Sequence, residues 1–314
     1  MREFPDLDLT RVRTYSIKER PSKVDRRDFA TPWKKGGSFS DFLDRLPRIL
    51  AGRDFLELVD RIVRAVQDNR TIILAMGGHP VKVGLAPLII DLMNRGIISL
   101  LAVNGSVMVH DAETAMVGFT SEDVAGTLGD GTFGMGREAN LLINRAAVRA
   151  AEEGLGLGRA LGLSLAEGDF PYQEDSLFAA GARLGLPVTV HVALGTDVYQ
   201  IHPEVDGAAL GQAGLRDFRT LCRAVADLEQ GVFLNLGSAV IMPEVFLKAV
   251  TLARNLGRPL QGMTTANMDF IQQYRPRVNV VQRPVAESGR GFDLVGRHEL
   301  MFPLLAAAVL EKLG

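Results

Sequence analysis

The stretch Thr71–Asp111, TIILAMGGHPVKVGLAPLIIDLMNRGIISLLAVNGSVMVHD, leaves this chain few folds to choose from. Thr71–Met76 is an apolar run rich in β-branched and bulky residues, the pattern of a buried strand. Gly77-Gly78-His79-Pro80 breaks it. An apolar helical pattern follows to Arg95 and stops at Gly96, where a left-handed C-cap favours glycine. Pro87 inside that pattern would cost about 3 kcal/mol in a helix interior. The helix is therefore expected to begin near Leu85, with Pro87 in its first turn, and Gly77–Gly84 to form a loop. Ile97–Val103 predicts a second strand, ended by Asn104-Gly105-Ser106. Strands joined through a crossover helix run parallel. In such sheets ligands sit beyond the carboxyl ends of the strands, and both breaks fall there.

Net charge is −2, from 35 basic and 37 acidic residues, which gives no electrostatic case for nucleic acid or an anionic membrane as partner. The single cysteine, Cys222, excludes an internal disulfide and a cysteine-cluster metal site. The start, MREFPDLDLTRVR, has no apolar core and does not read as a secretory signal, so a cytoplasmic protein is expected. Residues 1–38 read as an arm, and residues 39–314 as one domain. Phe4, Phe29 and Trp33 in the arm suggest docking onto a neighbouring subunit. Ser40 is expected to cap a helix from Asp41, and Phe55–Gln67 carries apolar residues at helical spacing.

Past Asp111, Ala112–Val117 reads as helix and Gly126–Gly136 as a glycine-rich connector. The connector holds a formal GxGxxG at Gly129–Gly134, but the dinucleotide fingerprint needs a strand just before it, and EDVAGTL does not read as one. Arg137–Glu153 predicts a helix and Gly154–Gly162 a glycine-punctuated turn. Helices are then predicted over Ser176–Leu184, Leu215–Glu229, Pro243–Asn255 and Glu299–Leu313. Strands are predicted over Pro187–Leu194, Val232–Leu236, Pro259–Thr264 and Val278–Gln282. This alternation predicts an α/β fold, a Rossmann-like doubly wound parallel sheet with helices on both faces.

Small or polar residues follow the predicted strands: Gly77-Gly78-His79, Asn104-Gly105-Ser106, Gly195-Thr196-Asp197, Gly237-Ser238 and Thr265-Ala266-Asn267. Glycine admits a ligand close to the backbone, helix starts attract phosphate, and a carboxylate such as Asp197 suits ribose hydroxyls. A dinucleotide fits these needs.

Several segments resemble the deoxyhypusine synthase family, an NAD-dependent enzyme family with a Rossmann-like sheet. GLAPLIIDLMNRGIISLLAVNGS, LPVTVHVALGTDVYQIHP, VFLNLGSAVIMPEVFLKAVTLARNLG, MTTANMDF and HELMFPLLAAAVLEKL look like that family's segments in order, from about Thr71 to Lys312. The resemblance implies NAD as cofactor, Asp197 as a nucleotide contact, and a homotetramer with sites at subunit interfaces. The departures concern the chemistry. The family carries its aminobutyl intermediate on a lysine, yet Thr264–Pro303 contains no lysine, and a Schiff base needs an amine. The family's Lys-His step is replaced by Val240-Ile241-Met242-Pro243, and of its acidic polyamine pocket Asp269 stands nearly alone. Arg275, Arg277, Arg283, Arg290 and Arg297 favour a small anionic substrate over a polycation. Deoxyhypusine formation is therefore not expected, and a transferase or oxidoreductase of other specificity is.

The candidate catalytic groups are His79, Lys82, His110 and Asp111. An imidazole titrates near neutral pH and serves as general acid or base. Lys82 could stand in for the missing lysine, although a lone lysine is more often solvated. His191, alternating within a strand, reads as a core or lining residue. A competing reading makes His79, His110, Asp111 and His202 the ligands of a metal-dependent hydrolase, with no HxH or HExxH spacing behind it. A third reading is a nucleotide-binding protein without catalysis.

Overall fold

A computed structural model describes residues 3–314 and divides the chain into two units between Arg53 and Asp54. In the first unit a short helix, α1 (Phe39–Asp44), is capped by Ser38 rather than Ser40. The Ser38 hydroxyl accepts from the Asp41 amide at 3.1 Å, and the Asp41 carboxylate accepts from the Ser38 amide at 2.9 Å. This reciprocal box satisfies two helix-start groups at once. Trp33 packs edge-on against Phe42, whereas Phe4 and Phe29 are exposed. The unit boundary falls inside α2 (Leu50–Gln67), which begins five residues before the apolar spacing predicts.

The second unit is built on six strands: β1 (Ile72–Met76), β2 (Leu100–Asn104), β3 (Val188–His191), β4 (Val232–Leu236), β5 (Thr264–Asp269) and β6 (Arg290–Val295). They form one parallel sheet in the order β3-β2-β1-β4-β5-β6. That order is the doubly wound one, with its switch point between β1 and β4. Between β1 and β3 the chain forms α3 (His79–Lys82), α4 (Ala86–Asn94), α5 (Gly105–Val117), α6 (Val124–Thr127), α7 (Arg137–Glu153), α8 (Leu157–Glu167) and α9 (Leu177–Leu184). After β3 come α10 (Gly207–Ala226), α11 (Ile241–Asn255), α12 (Tyr274–Pro276) and α13 (His298–Leu313).

Side chains alternate faces along a strand, so each buried strand serves two cores. Ile73, Ala75, Leu100, Ala102 and Phe233 face Leu221 and Val225 of α10 and Phe246 of α11. Phe233 stacks on Phe246 with ring centroids 3.6 Å apart. Burying each such ring contributes roughly 1.5–3 kcal/mol. Ile72, Leu74 and Leu234 turn the other way, towards Ile62 of α2, Leu92 of α4 and Phe302 and Leu305 of α13.

Further expectations need correction, among them the strand over Pro259–Thr264, which instead runs from Thr264 to Asp269. Gly77–Gly84 is not wholly loop, because His79–Lys82 closes one helical turn. The second strand begins at Leu100, since Ile97 and Ile98 still belong to the turn closing α4. Gly154–Gly162 is mostly helix α8, and the glycines inside that helix, Gly158 and Gly162, are there for contact rather than bending. A side chain at Gly158 would start 2.0 Å from the Val188 carbonyl oxygen, and one at Gly162 2.5 Å from that of Phe178. Near the C-terminus, Val278–Gln282 is helical, and the edge strand is β6, where Phe292 and Leu294 alternate inward.

Asp217 of α10 ties this half together. It is 2 % exposed and accepts from the Gly158 and Val190 amides, both at 2.9 Å, joining α10 to the start of α8 and to β3. Burial pushes its carboxyl up to about 7, against the pull of those amides.

Candidate functional site

The carboxyl rim of the sheet has two unlike halves. Beyond β1, β2 and β3 lies a cavity of about 530 Å³, lined by Lys82, Ser106, His110, Asp197 and residues of the segment Phe119–Gly136. Its floor is the start of α5, which follows β2 without a turn. Asn104 makes no side-chain cap there and instead accepts from the Ser106 hydroxyl at 2.9 Å. The positive end of α5 is thus left without a side-chain cap. Asp197 stands against it: a side chain on Gly105 would start 2.0 Å from an Asp197 carboxylate oxygen, so only glycine admits the carboxylate. Burial pushes the Asp197 carboxyl up to about 6. A side-chain hydrogen bond from Thr196 pulls the other way, and Gln200 approaches one of its oxygens at 3.5 Å, a long contact for a hydrogen bond.

His110 projects from α5 into the same cavity, and its side chain is 16 % exposed. Its Nδ1 lies 2.7 Å from the Thr120 hydroxyl, which donates to a Glu113 carboxylate oxygen at 2.5 Å. Glu113 shares a helix face with His110, one turn on. Thr120 comes within reach because α5 ends at Gly118 in the left-handed conformation (φ 77°), which turns the chain back on the helix. Burial, then the Lys82 charge, holds the His110 imidazole down to about 4, so it is neutral at pH 7. Over the cavity, Glu122 accepts from the Gly134 amide and Asn140 donates to the Gly134 carbonyl, fixing the glycine-rich segment.

Beyond β4, β5 and β6 the rim is filled. Gly237 (φ 67°) leaves the space into which His298 packs; a side chain there would start 2.5 Å from the imidazole Cε1. His79, Phe270 and His298 form a triangle of rings with centroids 5.2–5.8 Å apart, and Arg297 lies over Phe270. His298 is 1 % exposed, with Asp269 3.5 Å from its Nε2 and no hydrogen-bond partner at either ring nitrogen. Burial, then His298, lowers the titration of His79. Beneath the rings, Asn235 donates to Asn267 at 2.8 Å and to the Ser238 carbonyl at 2.9 Å, and Asn267 donates to Asp293 at 3.1 Å.

The sequence-derived residues therefore part company. Lys82, Ser106, His110 and Asp197 meet at the open cavity, with Gly78, Asn104 and Gly105 at its floor. Gly77 packs directly on Gly237, where a side chain would start 2.8 Å from the Gly237 carbonyl oxygen. Thr265, Ala266 and Asn267 are not a turn but the buried interior of β5. Ser238 caps α11 from within, its hydroxyl accepting from the Met242 amide at 3.1 Å. Asp111 is buried on α5, away from the cavity lining, and binds the Ser176 hydroxyl at 2.5 Å and the Leu177 amide at 2.7 Å. It anchors the start of α9.

The metal-hydrolase reading fails: among the described residues no three His, Cys, Asp or Glu side chains group closely enough to hold a metal ion. The arginines scatter too. Arg275 pairs with Glu244, Arg290 with Asp54 and Glu57, and Arg283 donates to Asn279. Among the described residues, Lys82 is the one lysine or arginine lining the cavity, which also holds Glu113, Glu122 and Asp197. Residue types alone did not single out Glu113, Thr120 or His298. The sequence predicts a helix only over Ala112–Val117, so the one-turn relation of His110 to Glu113 becomes visible only with α5 starting at Gly105.

No protein-family model matches the chain, and no curated protein matches it by sequence. Solved structures do match it in fold. AgrE in complex with ornithine and NAD+ is 13% identical, with TM-score 0.52, over 84% of this chain and 34% of that one. ArgZ, an arginine dihydrolase from cyanobacteria, is 14% identical, with TM-score 0.51, over 84% of this chain and 33% of its own. This chain thus spans about a third of the length of either. A putative deoxyhypusine synthase from Entamoeba histolytica is 12% identical, with TM-score 0.52, over 90% of this chain and 96% of that one. The protein is an α/β chain with a Rossmann-like sheet of the kind these structures share. Among the described residues no helix is long and apolar enough to cross a membrane.

Proposed function

We propose that this chain binds NAD or a related nucleotide in the open half of the rim and acts there on a small molecule, as a transferase or oxidoreductase. Asp197 carries the reading. It is a partly buried carboxylate whose side-chain donors are the Thr196 hydroxyl and, at 3.5 Å, the Gln200 amide, and it stands at a helix start whose N-cap residue makes no side-chain cap. A carboxylate can accept about four hydrogen bonds, and a ribose diol supplies two further donors. Lys82 offers positive charge for a pyrophosphate, with Asn104 and Ser106 close by. The cavity volume of about 530 Å³ falls within the ordinary range for small-molecule sites, roughly 300–1,000 Å³. That AgrE has been solved with NAD+ adds support from a protein of like fold.

NAD, when bound, accepts or returns a hydride. The chain's own part is to orient the ligand, exclude water beneath the segment Phe119–Gly136, and accept or return a proton at His110. The arginines that favour an anionic substrate stand away from the cavity. One lysine among three carboxylates suits a small substrate bearing hydroxyl or amine donors better. Deoxyhypusine synthesis is not proposed, since Thr264–Pro303 offers no lysine. The family resemblance implies a homotetramer, which light scattering on the purified protein tests.

The direct test is thermal denaturation with millimolar NAD or ADP-ribose. Both are expected to raise the midpoint, because a ligand that binds only the folded chain stabilises it. A flat response to both would remove the nucleotide from the proposal.

A further inference from the structure

The contacts around His110 decide where its proton sits. A carboxylate can only accept, so the single hydroxyl proton of Thr120 is committed to Glu113, 2.5 Å away. The Thr120 oxygen is then left as an acceptor, and the group facing it at 2.7 Å is the His110 Nδ1. That nitrogen must carry hydrogen. In a neutral imidazole the other nitrogen is then bare. Nε2 has no protein partner among the described residues, and it is not sealed in the core. The ring edge that carries it faces Gly78: a side chain built there would start 3.0 Å from the His110 Cδ2 and 2.6 Å from the Ser106 hydroxyl oxygen. Gly78 has ordinary helical backbone angles (φ −72°, ψ −25°), so its missing side chain reflects space rather than strain. The result is a notch between a hydroxyl and a bare ring nitrogen, opening on the cavity.

We infer that Thr120 and Glu113 are positioning residues that lock His110 in its Nδ1–H tautomer, leaving Nε2 as an acceptor at the Gly78 notch for a hydroxyl or amine of the ligand. The inference rests on the open cavity being the ligand site. It is independent of NAD being the nucleotide. The charged groups that bear on the ring are Lys82 on α3 and Glu113 on α5 itself. Asp197 and Glu122 line the same cavity further off. Burial keeps the ring neutral at pH 7, which the relay requires, because an imidazolium would have no bare nitrogen.

The test is NMR of the full chain labelled with nitrogen-15 at histidine, which reads each imidazole's tautomer directly. At pH 7 the wild type is expected to show His110 neutral and protonated on Nδ1. Thr120→Val, which keeps the shape and removes the hydroxyl, is expected to lose that signal in favour of Nε2–H. Thr120→Ser is expected to restore it. Glu113→Gln is expected to weaken the bias, because an amide can donate to Thr120 and reverse the relay. A His110 found on Nε2–H in the wild type overturns the inference without reference to any variant, and so does a tautomer unchanged in Thr120→Val. Added NAD is expected to move the His110 Nε2 resonance. If NAD leaves every resonance unmoved while the Nδ1–H tautomer and its Thr120 dependence hold, the dinucleotide reading fails and the positioning role stands.

Discussion

The two halves of the carboxyl rim carry much the same residue types and put them to opposite use. Each has glycines at strand ends, amides or hydroxyls beside them, an aspartate and a histidine. In the half formed by β1, β2 and β3, these groups surround a cavity, and Asp197 and His110 keep bonding capacity facing it. In the half formed by β4, β5 and β6, they bond to one another or are packed under rings: Asn235 to Asn267, Asn267 to Asp293, and His298 beneath His79 and Phe270. Polar residues at a strand end thus stay available to a ligand only where the fold leaves open space in front of them. Where they find each other they are core.

The contrast can be broken by measurement. Its largest expected effect lies in the closed half. Asn267→Ala removes the link between Asn235 and Asp293 and is expected to lower stability by about 2–3 kcal/mol in urea denaturation. NAD affinity is expected to stay within a factor of two; a tenfold loss would make the closed half part of the site. In the open half the pattern reverses. Asp197→Asn is expected to weaken NAD about tenfold by calorimetry, roughly 1.4 kcal/mol, with little change in the denaturation midpoint. Unchanged affinity would show that the carboxylate does not meet the ligand.

A smaller effect sharpens the same contrast. Phe270 is 39 % exposed, so Phe270→Ala is expected to cost about 1 kcal/mol, less than a fully buried ring. It uncovers His298, whose reaction with diethylpyrocarbonate is then expected to rise severalfold. An unreactive His298 in that variant would mean the rings do not form its cover. The smallest effect is in pH. Burial holds the Asp197 carboxyl at about 6 in the folded chain, above the unfolded value of ~3.9. Between those values the folded chain holds a proton that the unfolded chain has released. This contribution is fully present below pH ~3.9 and is lost as pH rises through 6. Asp197→Asn is expected to remove that part of the pH dependence, and identical pH profiles for variant and wild type would contradict the burial.

Much of the frame was readable because its punctuation is local. Arg137–Glu153 falls where predicted, ended by Gly154 in the left-handed conformation, and β4 matches its apolar run residue for residue. The failures share a different cause. Thr265 and Asn267 look like turn residues, yet Asn267 is held inside β5 by Asn235 and Asp293, partners 32 and 26 positions away. Gly158 and Gly162 look like breakers until Val188 and Phe178 lie against them. At the site, Asp197 and Ser106 could be found from their places after predicted strands. Thr120 could not, because its part depends on the reversal at Gly118 that brings it back onto α5. Asp111, one position from His110, turns inward to Ser176, and only the helical phase separates the two.

Asp217 has a kinetic meaning beyond the bonds it makes. One carboxylate on α10 takes the amides of Gly158 and Val190, which lie 59 and 27 positions earlier in the chain. Neither the start of α8 nor the edge strand β3 can reach its final hydrogen bonding until α10 has docked. Undocking of α10 frees both amides at once, so Asp217→Asn is expected to lower the exchange protection of both together. The edge strand beside the cavity and the start of α8 are thereby made one unit with α10, through a single side chain.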